Sequence, residues 1–500
     1  MHTTPYAGLE QRFRRLHLLG EAAGILYWDQ ATMMPVGGTE SRAEQLAELA
    51  AVSHGILTAG ETGDLLDRAR GQAGLDPWQA ANLREMERKW RHATALSEDL
   101  VVALSRAASA CEAKWLQVRK QGTFAQVLPE FTEVLNLVRE KAAAKGAALG
   151  LAPYDALVDQ YESGVRSARI DAVFAQLQGF LPGFLDRVLA RQDAAPPPRA
   201  PAGPFPRAAQ DALARRLMAT AGFDFDRGRL DTSAHPFCGG TNLDVRITTR
   251  YDEDDFAPAM MAVLHETGHA LYDMGLPADW RHQPVGQAMG MAIHESQSLL
   301  IEMQVCRSRD FVAFLAPLAR EAFGGDGPEW EAGNLHRLLA RAEPSFIRVD
   351  ADEVTYPSHV ILRYRLERAM IDGDLAPADL PGAWNDTMDE LLGLRPASDQ
   401  EGCLQDTHWF EGAFGYFPTY TLGAIAAAQF HAAARRALPD LPGSIRRGDF
   451  APLRAWLVEN VHGQGRLTGA EDLLRAATGS GFDVETFKRH LQDRYLDGAG

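Results

Sequence analysis

His265 and His269 stand four positions apart, with Glu266 directly after the first. Such a trio can act together only on an α-helix. There, residues i and i+4 project from one face, so two imidazoles reach one metal ion. Glu266 then lies where its carboxylate can take a proton from an attacking water, the layout of a zinc hydrolase of the peptidase type. With 15 His in 500 residues, a chance match has odds on the order of a few in a hundred. The surroundings must therefore separate the motif from two unrelated surface histidines. They are helical: Phe256, Met260, Val263, Leu264 and Leu271 recur near a helical period. Asp252 to Asp255 put negative charge at the expected N-terminus, and Gly275 and Pro277 stop the helix. The pattern predicts a helix over 256–274 with the motif in its middle, on a rigid element beside a core.

A catalytic zinc site takes a third protein ligand and leaves one position open. The long-motif zinc proteases place a third His six positions after the second; here that position is Gly275, and Tyr272 stands where their Gly would be. A Glu on a following helix is the other common source. Residues 288–307 read as that helix and contain His294-Glu295-Ser296-Gln297. Glu295 lies 295 − 269 = 26 positions past the second His, enough for a loop and an antiparallel return. Glu302, seven positions further on, is the rival. Glu295 is preferred because the polar cluster around it interrupts an apolar helix. His294 reads as a hydrogen-bonding support.

A chain with 46% hydrophobic residues can bury a large core. Its net charge of −17 argues against nucleic acid and anionic membrane surfaces as partners. No apolar run is long enough to span a bilayer, and residues 1–30 do not read as a signal segment. Cys111, Cys238, Cys306 and Cys403 are widely spaced and read as reduced thiols of a cytoplasmic protein.

Helical spacing recurs over 9–26, 41–51, 76–95, 98–121 and 131–149. Residues 194–206, with Pro196-Pro197-Pro198, read as an exposed loop or subdomain joint. It divides the chain into an N-terminal helical region, 1–192, and a metal-binding region, 207–500, within what is expected to be one continuous domain. Leu243, Val245 and Ile247 alternate with Asp244, Arg246 and Thr248, a strand signature, and Gly239-Gly240 is expected to separate it from a preceding extended piece. A small sheet thus precedes the metal helix. Residues 394–421 read as loop.

A peptidase that trims C-termini needs a cation for the terminal carboxylate. Arg246 offers one from the strand. Arg348 offers another, with Asp350 and Asp352 beside it to hold it; a structural ion pair is the competing reading for each. His408, Tyr416 and Tyr420 are candidates to hydrogen-bond a developing oxyanion, or else core residues with a satisfied polar tip. His235, in His235-Pro236-Phe237, lines a pocket or caps a turn.

Taken in order, His235-Pro236-Phe237, Asp244-x-Arg246-x-Thr248, His265-Glu266-x-x-His269, His294-Glu295-Ser296-Gln297, Ile347-Arg348 with Ala351-Asp352, and Gly402-x-x-Gln405-Asp406-x-His408-Trp409 resemble the carboxypeptidase Taq family of zinc metallocarboxypeptidases. Tyr27-Trp28-Asp29-Gln30 through Gly37-Gly38 is similar to that family's opening. The resemblance covers nearly the whole chain. It implies a mainly α, zincin-like fold with a deep cleft, a roof of N-terminal helices and one small β-sheet beside the metal helix. It also implies a homodimer that removes single residues of broad specificity from peptide C-termini, a C-terminal Pro being resisted. His265, His269 and Glu295 would bind zinc, for which cobalt or another divalent ion could substitute. Glu266 would be the general base, Arg348 with Arg246 would fix the terminal carboxylate, and His235, His408, Tyr420 and, less directly, Tyr416 would meet the substrate or oxyanion. A zinc oligopeptidase or dipeptidyl carboxypeptidase shares the metal plan and is the nearest alternative. A peptide-binding protein without catalysis is the other, and an intact Glu266 counts against it.

Overall fold

The computed structural model describes residues 4–498. Among them are twenty α-helices and one three-stranded sheet. None of these helices is long and apolar enough to cross a membrane. The five helical stretches expected before residue 150 all fall on helices. The first four helices, Pro5–Thr32, Thr39–Thr58, Gly60–Arg70 and Pro77–Thr94, share a small core around Leu9, Phe13, Leu66 and Met86. The fourth begins with a reciprocal cap: Asp76 Oδ1 accepts from Gln79 N, and Gln79 Oε1 from Asp76 N.

The main core runs from Ala107 to Tyr495. It crosses the Pro-rich stretch between helices Ser167–Asp193 and Arg207–Ala221 without a break. Phe205 is buried there against Phe256, Phe323 and Trp330. Asn334 holds the same stretch by accepting from Arg199 N at 2.9 Å and donating to Arg199 O at 2.7 Å. These contacts tie the loop to the body of the protein.

Strands β1 (Gly228–Thr232), β2 (Phe237–Thr241) and β3 (Asp244–Thr249) form a sheet of order β1-β3-β2, with β1 parallel and β2 antiparallel to β3. One expectation fails here. Gly239 and Gly240 are not the separator; they lie inside β2, and Asn242-Leu243 makes the turn. Leu243 is accordingly exposed rather than part of the strand. Gly240 has φ +92°, and a Cβ on it would lie 2.1 Å from Asp244 O. The glycine permits the close approach of β2 to its partner, a role sequence spacing does not separate from a turn. Val245 and Ile247 are buried against Val263 and Ala270. Arg229 and Arg246, paired across β1 and β3, lie over Trp28 of the first helix at 4.9 and 4.4 Å. The conspicuous N-terminal Trp therefore docks the N-terminal helices onto the sheet.

The C-terminal helix Val484–Gln492 and the turn after it lock onto the body through Glu353. That buried carboxylate bonds His490 Nε2 at 2.6 Å, Arg494 Nη1 at 3.0 Å and Tyr495 OH at 3.3 Å. Burial pushes Glu353 up, but His490 and Arg494 outweigh it and hold the group at about 2, below its usual 4.5. A depressed carboxylate stabilises the fold above its unfolded pKa and loses that contribution as pH falls through the folded value. The stability gap between wild type and Glu353→Gln is therefore expected to be full at pH 6 and to shrink below about pH 4. Urea titrations at several pH values would show it; a gap independent of pH would refute the assignment.

Candidate metal centre and carboxylate site

The metal-motif helix is Ala257–Gly275. The N-cap is Phe256, and of the acidic run before it Asp255 Oδ1 accepts from the first helical N–H, Ala257 N, at 3.0 Å. The expected second helix is two pieces: an α-helix, Met291–Leu299, and a π-helical stretch, Leu300–Cys306. The wider π turn rotates the side chains along it relative to those of the α-helix before it. Glu295 and Glu302, seven apart, would share a face of a regular helix; here they do different work.

His265, His269 and Glu295 converge, with one ligand atom from each lying within 4.8 Å of the others. Glu295 Oε2 is 3.9 Å from His265 Nε2 and 3.6 Å from His269 Nε2. Both Nδ1 atoms are engaged elsewhere: His265 Nδ1 with Glu302 Oε2 at 3.0 Å, His269 Nδ1 with His294 Nδ1 at 2.7 Å. His294 in turn faces Asp273 at 3.3 Å, and Glu302 is paired with Arg307 at 2.8 Å. Engaging Nδ1 turns each Nε2 toward the shared point. Two imidazole nitrogens and one carboxylate oxygen are a donor set that fits a catalytic zinc ion with open positions. Glu302 lies outside this donor set, its two oxygens taken by His265 Nδ1 and Arg307.

Glu266 is buried beside this set. Burial first, and then the neighbouring Glu295, push it up to about 7. A carboxyl group held there can exchange a proton near neutral pH.

Main-chain contact sets the spacing of the two helices. A Cβ on Gly268, inside the motif, would lie 2.5 Å from Gln297 O and 2.6 Å from Ser298 Cα. On the far side, a Cβ on Gly423 of helix Pro418–Ala437 would lie 2.8 Å from Glu295 Cβ. The Glu295 helix is thus held between two glycines. Its N-terminus is capped by the buried Glu162, whose Oε2 accepts from Ala292 N at 2.6 Å. Gly268→Ala is expected to force the helices apart, costing about 1–3 kcal/mol, and to weaken metal retention. Melting temperature and bound metal after dialysis would check this; unchanged metal content would contradict it.

Arg348 is buried, and its fork is held by Asp406 rather than by Asp350 or Asp352. Asp350 is exposed, and Asp352 instead accepts from Glu343, Val354 and Thr355 N–H groups. Asp406 Oδ1 accepts from Arg348 Nε at 3.0 Å and Nη2 at 2.7 Å, while Tyr356 OH takes Nη1 at 2.9 Å. A guanidinium has five N–H donors; one on Nη1 and one on Nη2 are left without a partner among the described residues. The buried Arg363 shares Asp406 through Nε at 2.6 Å; burial pushes Asp406 up, but the Arg348 and Arg363 guanidiniums outweigh it and hold the group far below the usual carboxylate range. Gln405 accepts from Arg348 N and Arg363 Nη2. The Gln405-Asp406 pair is therefore a clamp for Arg348. Burial raises Glu295, and His265, His294 and Arg348 oppose that rise, so the Arg348 guanidinium lies within electrostatic reach of the metal set.

Tyr420 lies in the first turn of helix Pro418–Ala437, which begins at a proline before the end of the expected loop. Its ring is 4.9 Å from the Arg348 guanidinium, and its OH meets His408 Nε2 at 3.2 Å. Burial pushes Tyr420 up to about 12, so it remains a donor; burial also pulls His408 down to about 4 and keeps it neutral. Tyr416 packs edge-on against Tyr420 at 5.2 Å. Arg246 is bound along one edge by Asp244 at 2.9 and 2.6 Å. His235 is exposed between β1 and β2, and it bonds its neighbours through its backbone carbonyl; the structure does not bring it into the cluster. Glu302, Glu162, Arg363, Tyr356 and Trp28 carry supporting roles that the spacing did not assign. Only Glu302, at its seven-residue interval, had a signal to find it by.

A family model described as "Carboxypeptidase Taq (M32) metallopeptidase" matches residues 8–495. The chain is 38% identical to a thermostable carboxypeptidase 1 of Thermus thermophilus, over 98% of each chain. It is 33% identical to one from Pyrococcus furiosus, over 97% of each. Among solved structures, a metallocarboxypeptidase 1 of Trypanosoma cruzi is 41% identical and superposes with a TM-score of 0.97 over 99% of both chains. An M32 carboxypeptidase from Deinococcus radiodurans, 35% identical, superposes at 0.93 over 99% of both.

Proposed function

Because the chain belongs to the carboxypeptidase Taq (M32) family, and so is a metallocarboxypeptidase acting on peptides, we propose that it uses zinc to remove single residues from free C-termini. The observation that carries this reading is the buried Arg348, within electrostatic reach of Glu295, with two N–H groups that have no partner among the described residues. Two parallel donors on one guanidinium match a carboxylate. Zinc, when bound by His265, His269 and Glu295, supplies Lewis acidity toward the scissile carbonyl and favours a nucleophilic water near neutral pH. Arg348, with Arg246 on the sheet side, holds the terminal carboxylate. Glu266 takes a proton from the attacking water and passes it to the leaving amine. Tyr420, with His408 behind it, donates to the oxyanion, and Tyr416 braces Tyr420. His235 would meet the substrate from the rim.

The N-terminal helices docked by Trp28 are, in this reading, the roof of a blind cleft, which admits chain ends and excludes internal bonds. Broad specificity with resistance of a C-terminal Pro, a homodimer and a cytoplasmic setting belong to the same proposal; four unpaired cysteines favour that compartment.

A mass-spectrometric time course on one unstructured peptide, free or amidated at its C-terminus, tests it. A ladder of single-residue losses from the free peptide alone, stopped by chelator and restored by zinc or cobalt, is expected. Loss of dipeptides, or equal cleavage of the amidated peptide, would replace it with an oligopeptidase.

A further inference from the structure

Tyr356 opens the helix Tyr356–Asp372, eight positions after Arg348. Asp352 folds the turn between them. Its Oδ1 accepts from Val354 N at 2.8 Å and Thr355 N at 3.1 Å, and its Oδ2 from Thr355 Oγ1 at 2.8 Å. Its carbonyl accepts from Tyr356 N at 2.9 Å. A carboxylate that closes a turn on the backbone after it doubles the chain back. Asp352, which does not pair with the Arg348 guanidinium, thus has the work of delivering Tyr356 to it.

The Tyr356 hydroxyl accepts from Arg348 Nη1 at 2.9 Å. A phenol also has one proton of its own to give. Among the described residues no acceptor takes it, and Tyr356 is only partly buried. Burial, against the pull of Arg348, holds the group well above the usual tyrosine range, and Tyr420 and Glu295 add to the rise. The proton therefore stays in place as a donor. The ring stands edge-on to Tyr420, with centroids 6.1 Å apart at 88°, which braces the hydroxyl beside the guanidinium. Charge favours an anion at the same spot. Arg348 and Arg363 share the single carboxylate of Asp406, so this trio keeps a net positive charge.

We infer that Tyr356 is a second anchor for the substrate's terminal carboxylate, its O–H donating to the oxygen that meets the open N–H of Arg348 Nη1. The inference rests on the proposed carboxypeptidase reading and completes its carboxylate site. Tyr420 has a different post. Its hydroxyl meets His408 Nε2 at 3.2 Å and serves the oxyanion, while Tyr356 pairs with Arg348 and serves the chain end. Two hydroxyls on neighbouring rings divide the scissile carbonyl and the terminal carboxylate between them. A free acid offers only acceptors to Arg348 and Tyr356. A C-terminal amide turns N–H donors toward one of them, so the pair selects acids.

The test is steady-state kinetics of the metal-loaded enzyme on one peptide, free or amidated at its C-terminus, comparing wild type, Tyr356→Phe and Tyr356→3-fluorotyrosine. Tyr356→Phe keeps the ring and is expected to raise KM for the free peptide about ten- to a hundredfold. Its kcat and bound metal should change little, and cleavage of the amidated peptide should not change, as for a group that only binds the chain end. Fluorination makes the hydroxyl a stronger donor and a weaker acceptor, so Tyr356→3-fluorotyrosine is expected to bring KM below wild type. It keeps ring and hydroxyl, and so reads the site even if the Phe variant folds poorly. An equal or higher KM in the fluorinated enzyme would mean that Tyr356 serves Arg348 only as an acceptor, and would overturn the inference. An unchanged KM in Tyr356→Phe would do the same, as would equal losses on both peptides. Loss of metal from Tyr356→Phe would make the hydroxyl a prop for Glu295 instead. Equal cleavage of the two peptides by wild type would remove the carboxypeptidase reading itself, and this inference with it.

Discussion

Glu266→Gln is expected to keep its metal and lose kcat by about a hundred- to ten-thousand-fold. The amide has the volume of the carboxylate and cannot accept the proton of the attacking water. Nothing in the ligand set changes, because His265 and His269 are oriented by Glu302 and His294 and not by Glu266. Elemental analysis of the purified variant should therefore match wild type, with KM little altered. Burial costs a charged Glu266 more than it costs a neutral Gln, so the variant is also expected to melt no lower than wild type. Wild-type turnover by Glu266→Gln would remove this residue from the mechanism.

Arg348→Ala is the second large loss. Truncating one member of a buried charge contact costs about 2–5 kcal/mol, or roughly thirty- to several-thousand-fold in kcat/KM. The fold should survive, since Asp406 keeps Arg363 as a partner at 2.6 Å. The loss should be confined to peptides with a free C-terminus, and the amidated peptide should be cleaved as poorly by the variant as by wild type. Arg348→Lys retains the charge without the fork and should recover only part of the loss. Equal losses on free and amidated peptides would mean that Arg348 merely orders Tyr420 and Asp406.

Local periodicity made the helices legible. Spacing of four residues placed His265 and His269 on one face, and a polar island in an apolar stretch marked Glu295. What stayed hidden depends on contacts across the chain. Asp406 lies 58 residues from Arg348, and adjacency in sequence pointed to Asp350 and Asp352 instead. The π-helical turn that separates the work of Glu302 from that of Glu295 has no periodic signature of its own. Gly239-Gly240 looked like punctuation because a turn and a close strand contact both demand glycine. The place of Tyr420, one turn into a helix, was blurred by the Pro and aromatic residues before it.

The two glycines that grip the Glu295 helix bear on how the ion comes and goes. In small zinc domains the ion organises its own ligands, and chelation unfolds the chain. Here Gly268 lets main chain rest on main chain and Gly423 lets the Glu295 side chain pack close against its helix, so packing of the protein itself fixes where the three donors stand. Metal binding has little ordering entropy to overcome, and stripping the ion should leave the far-ultraviolet circular dichroism spectrum intact. The empty enzyme would persist as a folded reserve, and the supply of metal alone could set how much of it is active.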